Sequence, residues 1–124
     1  MKAIESKRQK QVGKLVQEVV SNIFILHGRE IYGNTFVTIT GVYMTPDLEQ
    51  ARIYISLYNT EDKNHILEII KAKSYEIKKL MAEKLRRQLR KMPQPEFILD
   101  ETLDEVFKLE ELFKNLNNPD HKED

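Results

Sequence analysis

Apolar residues recur at helical spacing near the start of the chain. After Ser6 they repeat every three or four residues, at Val12, Leu15, Val16, Val19, Val20, Ile23 and Phe24. This period predicts an amphipathic helix with one buried face. Ser6 and Gln9 form a capping-box pair at its start, and Gly28 predicts its end because glycine adopts the left-handed cap conformation without strain.

The pattern then changes to a period of two, which predicts strands at about residues 36–44 and 50–58. In the second strand we expect Ala51, Ile53, Ile55 and Leu57 to face the core. The alternating residues Arg52, Tyr54, Ser56 and Tyr58 would form an amphipathic outer face. Pro46 presets φ for the first central position of a type I turn, and Asp47 suits the second, so a hairpin is predicted here.

A second helical region follows the hairpin, and either Asn59 or Thr60 can cap it. Its pattern extends to Lys91. Pro93 and Pro95 then exclude further helix, because proline lacks a backbone donor and biases the preceding residue toward extended structure.

That helical region contains an interruption. Its apolar stripe lies first at Ile66, Ile69 and Ile70 and resumes at Ile77, Leu80 and Met81. Lys73 and Ser74 occupy the intervening positions, so an unbroken helix would turn a polar notch toward the core. We therefore predict a kink near Ala72, whose small side chain would let the two helical halves approach closely.

Two further elements are predicted near the C-terminus. A short strand is expected at Glu96 to Leu99. Thr102 and Glu105 form a second capping box, which opens a last helix with Val106, Leu109, Leu112 and Phe113 on one side. The resulting order is α-β-β-α-α-β plus a terminal helix, which is the order of a type II KH domain, an α+β fold with a three-stranded sheet. We expect one domain over residues 1–116 and a polar tail over 117–124.

Composition narrows the functional classes. The chain has 124 residues, 40% of them hydrophobic, and no cysteine, so disulfides and thiolate chemistry are excluded. No apolar run approaches the roughly 20 residues of a membrane span, and the N-terminus lacks the apolar region of a signal peptide. A cytoplasmic protein is therefore expected.

The formal net charge of zero conceals a segregated distribution. Residues 1–14 carry five Lys or Arg against one Glu, residues 71–91 carry nine against two, and residues 96–124 carry ten Asp or Glu against three Lys. The basic segments can attract a polyanion. The candidate residues for binding a polyanion such as RNA are Lys7, Arg8, Lys10, Lys71, Lys73, Lys78, Lys79, Arg86, Arg87, Arg90 and Lys91.

Helical geometry places Lys79, Arg86 and Arg90 opposite the core stripe, as an exposed strip. A simpler interpretation is a solvated ladder of ion pairs, because Lys79, Glu83 and Arg87 follow one another at intervals of four residues. Tyr54 and Tyr58 on the outer sheet face could also stack bases, which is the weaker hypothesis.

Candidate catalytic groups are sparse. His27, His65 and His121 are not spaced to share a metal or to activate a nucleophile. The acidic residues Asp100, Glu101, Asp104 and Glu105 suit the first turn of a helix, where they stabilise the helix dipole. Neither an enzyme nor a cofactor, metal or small-molecule substrate is expected.

Three sequence blocks resemble the ribosome-binding factor A family. They are the Arg-x-x-x-Val-Gly start of the first helix at Arg8, the hairpin from Val42 to Ser56 with Pro46-Asp47-Leu48 and Ala51, and Pro95-Glu96-Phe97-Ile98-Leu99-Asp100-Glu101-Thr102. Members of this family have a KH-like fold in which an Ala-x-Gly kink replaces the Gly-x-x-Gly loop. Ala72-Lys73-Ser74 matches that kink at alanine and departs from it at glycine.

The resemblance implies a monomeric, non-enzymatic assembly factor. It would bind the free small (30S) ribosomal subunit and assist late maturation and processing of 16S ribosomal RNA, with a role in cold adaptation. Two alternatives from the residues themselves remain open. One is a general RNA-binding KH-like module, although no Gly-x-x-Gly occurs, and the other is a protein–protein adaptor that uses the basic and acidic segments.

Overall fold

The computed structural model describes residues 5–58, 60–101 and 112. Its elements in chain order are α1 (Lys7–Tyr32), β1 (Phe36–Met44), β2 (Gln50–Tyr58), α2 (Lys63–Ala72), α3 (Ser74–Leu85) and β3 (Gln94–Leu99). This confirms the predicted α-β-β-α-α-β order and the α+β class.

Strand β2 is the centre of a three-stranded sheet in the order β1-β2-β3. It pairs with β1 in antiparallel register, from Phe36 opposite Tyr58 to Met44 opposite Ala51. It pairs with β3 in parallel register, starting with Gln50 beside Gln94. Parallel neighbours need a long crossover, which α2 and α3 provide.

The core lies between the helices and one face of the sheet. Ala51, Ile53 and Ile55 of β2 are fully buried, and Leu57 is 2% exposed, which confirms the predicted inner face. The helices contribute mainly β-branched and long aliphatic side chains to the same cluster, among them Val12, Val16, Val20, Ile23, Ile66, Ile70, Ile77, Met81 and Leu85.

Helix α1 begins as predicted and ends later than predicted. The Ser6 hydroxyl accepts from the Gln9 backbone amide at 3.1 Å, and the Gln9 side chain accepts from the Ser6 amide at 2.7 Å. The predicted stop at Gly28 is wrong. Gly28 is buried inside the helix, where a β-carbon would collide with the Tyr32 hydroxyl, and the cap is Gly33 with a positive φ of 83°. Close packing against Tyr32 explains the glycine at Gly28, and the positive φ explains the glycine at Gly33.

Helix α1 lies unusually close to β1 at Gly13. A β-carbon built there would stand 3.1 Å from the Val42 carbonyl oxygen. On either side of this contact, the Gln9 side-chain amide donates to the Met44 carbonyl at 2.8 Å and that of Gln17 to the Ile39 carbonyl at 3.4 Å. Glycine is therefore favoured in the Arg-x-x-x-Val-Gly block, because the backbone of the sheet crowds the space of a side chain there.

The hairpin turn confirms the prediction at Pro46. Leu48 donates its backbone amide to the Thr45 carbonyl at 2.8 Å, which closes a four-residue turn around Pro46 and Asp47. Leu48 then takes a φ of 61°, a left-handed conformation that the sequence did not signal. The strands thereby meet with Met44 opposite Ala51.

The second helical region is divided at Lys73, which has φ −101° and ψ 13° and separates α2 from α3. The predicted interruption near Ala72 is confirmed, because α2 ends at that residue, but the close-packing role predicted for its side chain is wrong. Ala72 is exposed as the last residue of α2, and Ser74 is half-buried as the first of α3, so Ala72 does not fill a close helix crossing. The capping prediction is also wrong, because the Asp62 side chain accepts from the His65 amide at 3.0 Å.

Helix α3 ends at Leu85, and the prediction that it reaches Lys91 is wrong. The amides of Gln88 and Leu89 both bond to the Leu85 carbonyl at 2.9 Å, which tightens the chain into a turn. This turn directs Leu89 into the core and lets β3 begin at Gln94, two residues before its predicted start.

The predicted last helix, its Thr102–Glu105 capping box and the polar tail lie outside the described residues, except for Leu112. Leu112 is helical, as predicted, and 54% exposed.

The contact at Gly13 generates a stability prediction. Gly13→Val should lower the free energy of unfolding by roughly 1–3 kcal/mol, because the added methyls overlap the Val42 carbonyl and force α1 from the sheet. Chemical denaturation monitored by circular dichroism measures the change.

Ala72→Leu is the matched control. It should shift stability by less than about 0.5 kcal/mol, since the residue is exposed. A cost at Ala72 equal to that at Gly13 would mean that a close crossing exists at the kink after all.

Candidate nucleic-acid interface

The predicted basic residues do not form one strip. Because α3 ends at Leu85, Arg90 lies off the helix that carries Lys79, so the predicted strip of Lys79, Arg86 and Arg90 is wrong. The structure forms two groups instead. We call Arg8, Arg90 and Lys91 the turn cluster and Lys71, Lys73, Lys78 and Lys79 the junction cluster. The other four predicted cations are exposed and belong to neither group. Lys7 and Lys10 lie in the first turns of α1, and Arg86 and Arg87 lie just after α3.

The turn cluster joins the start of α1 to the segment after α3. Its three cations line a hollow of about 170 Å³ beside the hairpin turn, together with Val12, Asp47, Leu48 and Leu89. The Lys91 ammonium donates to Glu49 Oε1 at 2.9 Å, and this carboxylate raises the pKa of Lys91. Part of the positive charge of the cluster is thus already neutralised within the protein.

Asp47 organises the turn in this cluster. Its Oδ1 accepts from the Glu49 amide at 3.0 Å and from the Thr45 hydroxyl at 2.7 Å. These bonds, first that to the Glu49 backbone, lower the pKa of Asp47 below its ordinary value. Asp47 is therefore a structural carboxylate rather than a proton donor.

The junction cluster surrounds the α2–α3 break and keeps more of its charge. Lys78 donates to the neutral amide oxygen of Gln94 at 2.9 Å, and Lys73 donates to the Glu30 backbone carbonyl at 3.3 Å. These neutral acceptors orient the ammonium groups without cancelling them. Lys71 differs, because Glu68 Oε2 lies 3.7 Å from it.

An exposed aromatic residue stands within the junction cluster. Tyr75 is 74% exposed. It lines a groove of about 360 Å³ with Lys78, Lys79, Ala82, Met92 and Gln94. We call this the junction groove. It combines an accessible ring with two cations, which are the features used to stack a base and hold its phosphates.

Tyr75 was not predicted as a site residue. The sequence signal was its position two residues before Ile77, off the apolar stripe of α3, which makes it solvent-facing. The tyrosines that were considered are less accessible. Tyr54 and Tyr58 are both half-buried, and the Tyr58 ring lies 5.7 Å from that of Phe36.

A second hollow on α3 has mixed charge. Its volume is about 480 Å³, and it is lined by Lys73 and Lys79, the acidic residues Glu30, Glu76 and Glu83, and also His27, Ile31, Ile77 and Leu80. Within the described part of the chain, no ion pair closer than 4.0 Å joins Lys79, Glu83 and Arg87, so the predicted ladder does not form. Lys79 therefore remains available to the junction groove.

The acidic and histidine side chains of residues 5–58 and 60–101 were compared with the arrangement that a metal ion requires. No group of three or more His, Asp or Glu there is arranged to hold a metal ion. Asp100, one of the acidic residues considered earlier, accepts a hydrogen bond from the Thr40 hydroxyl at 2.6 Å and so helps to hold the end of β3. None of the helices described has the length and apolar character of a membrane span.

The fold is that of a KH-like α+β protein, in which a break at Lys73 separates α2 from α3. The comparison with known families is specific. The ribosome-binding factor A family model matches residues 8–113, and the chain belongs to that family.

Curated relatives support this assignment over nearly the whole chain. The chain is 38% identical to ribosome-binding factor A of Cytophaga hutchinsonii over 121 residues, covering 98% of this chain and 90% of that protein. It is 34% identical to that of Flavobacterium psychrophilum, covering 94% and 90%.

Solved structures share the fold at low sequence identity. The crystal structure of ribosome-binding factor A from Thermus thermophilus has a TM-score of 0.61 at 12% identity, covering 73% of this chain and 94% of that chain. A homology model of the Thermus protein, fitted into a cryo-electron-microscopy map of its 30S complex, has a TM-score of 0.58 at 13% identity and covers 79% and 97%.

The lowered pKa of Asp47 generates a pH prediction. The folded state favours the carboxylate, so its stabilisation is present above the ordinary pKa of 3.8 and is lost as pH falls through the lower folded value. Asp47→Asn keeps an oxygen acceptor but not the charge. The native chain should therefore be more stable than Asp47→Asn at neutral pH, and the difference should shrink below the ordinary pKa.

Urea unfolding of both chains over a pH series measures this difference. Glu101→Gln is a suitable control, because Glu101 is an exposed carboxylate distant in sequence from the turn. A stability difference for Asp47→Asn that stays constant with pH would contradict a charge-dependent role.

Proposed function

We propose that this protein is a ribosome assembly factor that binds the free small ribosomal subunit. The observation that carries the proposal is the family match over residues 8–113. The Thermus thermophilus member, which shares the fold, was fitted into a 30S complex. Basic clusters on a chain of zero net charge suit a partner made largely of RNA.

In this proposal the protein acts by binding and catalyses no reaction. It assists late maturation and processing of 16S ribosomal RNA, including at low temperature, and works as a monomer in the cytoplasm without a cofactor. These finer points rest on the family membership. The molecule itself contributes a surface that offers cations and an aromatic ring.

We place the RNA contact in the junction groove. Lys78 and Lys79 are positioned on successive residues of α3, and Gln94 holds the Lys78 ammonium at the edge of β3. Tyr75 lies one helical turn before them with most of its ring exposed. A single-stranded nucleotide would stack on Tyr75 while its phosphates approach the two lysines. The turn cluster, with Lys7, Lys10, Arg86 and Arg87, would extend the electrostatic attraction to RNA farther away.

The partner class is tested by sucrose-gradient fractionation of a cell lysate. The protein should co-migrate with free small subunits and be nearly absent from large subunits and intact ribosomes. Equal occupancy of large subunits, or none on small ones, would overturn the assembly-factor proposal.

The groove is tested by exchanging its two lysines. Lys78→Gln together with Lys79→Gln should weaken binding to purified small subunits and flatten the slope of log affinity against log salt by about 1.5 units, from roughly 0.7–0.9 per phosphate contact. The matched control is Lys14→Gln with Lys84→Gln, which removes the same charge from exposed positions that line neither the groove nor the turn cluster.

Tyr75 separates stacking from charge in the same assay. Tyr75→Ala should weaken binding by roughly 1–3 kcal/mol without changing the salt slope, whereas Tyr75→Phe should preserve it, since the ring remains. If the lysine pair and its control lose the same amount of affinity, the RNA contact lies outside this groove, although the protein still binds small subunits.

A further inference from the structure

Strand β1 is an edge of the sheet. It pairs with β2 on one side, and no other strand among the described residues pairs with it. An edge strand presents backbone amides and carbonyls that can pair with a further strand. Helix α1 lies beside this edge, and its side chains determine which of these backbone groups stay accessible.

A row of α1 residues spaced four apart faces the edge of β1. Gln9 donates its side-chain amide to the Met44 carbonyl at 2.8 Å. Gln17 donates to the Ile39 carbonyl at 3.4 Å, and Gly13 packs against the strand between these two bonds. These three members of the row therefore close the half of the edge that runs from residue 39 to residue 44.

The next member of the row is Ser21, whose side chain is too short to continue the series. Within the described part of the chain, its hydroxyl bonds to no backbone group of β1. Residues two apart in an antiparallel ladder turn their backbone groups to the same side. The Ile39 carbonyl points away from β2 toward Gln17, so the amide and carbonyl of Val37 also point away from β2. The edge is therefore open at Val37.

An uncharged groove follows this open part of the edge. Its volume is about 370 Å³, and it is lined by Ser21, Phe24, Ile25 and Tyr32 of α1 and by residues 35–39. Two of its apolar side chains are accessible, Ile25 at 78% exposure and Phe36 at 58%. Accessible apolar side chains grouped around a groove are typical of a protein contact.

The sequence of β1 also lacks the usual protection of an edge strand. Residues 31–46 contain no Asp, Glu, Lys, Arg or His, although charged residues make up 32% of the chain. Natural edge strands commonly carry charged residues or proline that prevent pairing with another chain. Residues 35–39 have neither, so this part of β1 is suited to accept a further strand.

We propose that the open edge of β1 binds an extended segment of a small-subunit protein as a fourth strand. The segment lies in the groove between β1 and α1, exchanges backbone hydrogen bonds with Val37, and places uncharged side chains against Ile25 and Phe36. A charged side chain is excluded at those positions, because no lining residue offers it a partner. This inference rests on the proposed function and adds a protein contact to the RNA contact in the junction groove.

The groove favours this occupant over RNA and over a second copy of the chain. RNA phosphates are held by cations, and no cation lines the groove. A second copy would have to insert the same edge strand, along which its own α1 already lies. A free extended segment meets no such obstruction.

Photo-cross-linking of the full chain to purified small subunits identifies the occupant. One variant carries p-benzoylphenylalanine in place of Phe36, and the matched control carries it in place of Tyr75, which is also an exposed aromatic residue. The probe at position 36 should cross-link to a ribosomal protein, and the probe at position 75 to ribosomal RNA. Mass spectrometry should locate the linked protein segment in a stretch with uncharged side chains at alternate positions.

Sedimentation with the subunits is measured before irradiation, so that two kinds of failure are distinguished. If the parent chain does not bind small subunits, the proposed function is overturned. If the position-36 variant binds but cross-links only to RNA, to its own chain, to a second copy or to nothing, only the fourth-strand inference is overturned.

A charge placed in the groove provides a second test. Ile25→Lys should weaken binding to small subunits about fivefold or more, because the ammonium has no partner there. Added positive charge attracts RNA, so weaker electrostatic attraction cannot explain such a loss. Asn22→Lys is the matched control, since it adds the same charge to an exposed α1 residue outside the groove, and it should not weaken binding. Equal effects of the two substitutions would contradict the inference.

Ser21→Gln tests the open edge itself. The longer side chain would reach the Val37 carbonyl as Gln9 and Gln17 reach theirs, and would occupy the acceptor that the bound segment needs. Binding should weaken with no change in its dependence on salt, because no phosphate contact is lost. Ser21→Ala cannot close the edge and should bind like the parent chain. If Ser21→Gln also binds like the parent chain while remaining folded in urea titrations, the fourth strand does not form at Val37.

Discussion

The close approach of α1 to β1 is the contact on which the rest of the domain depends. At Gly13 the helix backbone comes near enough to the Val42 carbonyl that no larger side chain fits without displacement. Gln9 and Gln17 donate to carbonyl groups of the same edge strand. The helix thus supplies partners for polar groups that an edge strand would otherwise expose, and it brings its own apolar face over β2.

The parallel pairing of β2 with β3 imposes the second constraint. The chain must pass over the core between them, and both apolar stripes of that crossover contribute buried residues, Ile70 from α2 and Ile77 from α3. The break at Lys73 allows two differently directed helices to do so. The same break leaves Tyr75 and its neighbouring lysines on the solvent side, so the proposed RNA contact is a consequence of how the core is closed.

The zero net charge says little about function in this protein. What matters is the partner of each charge, because an ammonium held by a carboxylate presents a weaker field than one held by a neutral oxygen. Lys91 is held by Glu49, whereas Lys78 is held by the amide of Gln94. The junction groove therefore offers more usable positive charge than the turn cluster, although the arginines are more numerous near the turn.

Local chemistry was sufficient to predict much of the fold. The Ser6–Gln9 capping box, the core-facing residues of β2 and the turn at Pro46 all arise from neighbours in the chain, and each appears as predicted. The Lys73–Ser74 interruption was also visible as a break in apolar spacing. Contacts between segments far apart in the chain decided the remainder. Gly13 packs against the Val42 carbonyl, and the tight turn after Leu85 carries Arg90 away from Lys79 and beside Arg8. No periodic pattern encodes such contacts, because each depends on where two distant segments lie once the common core has formed.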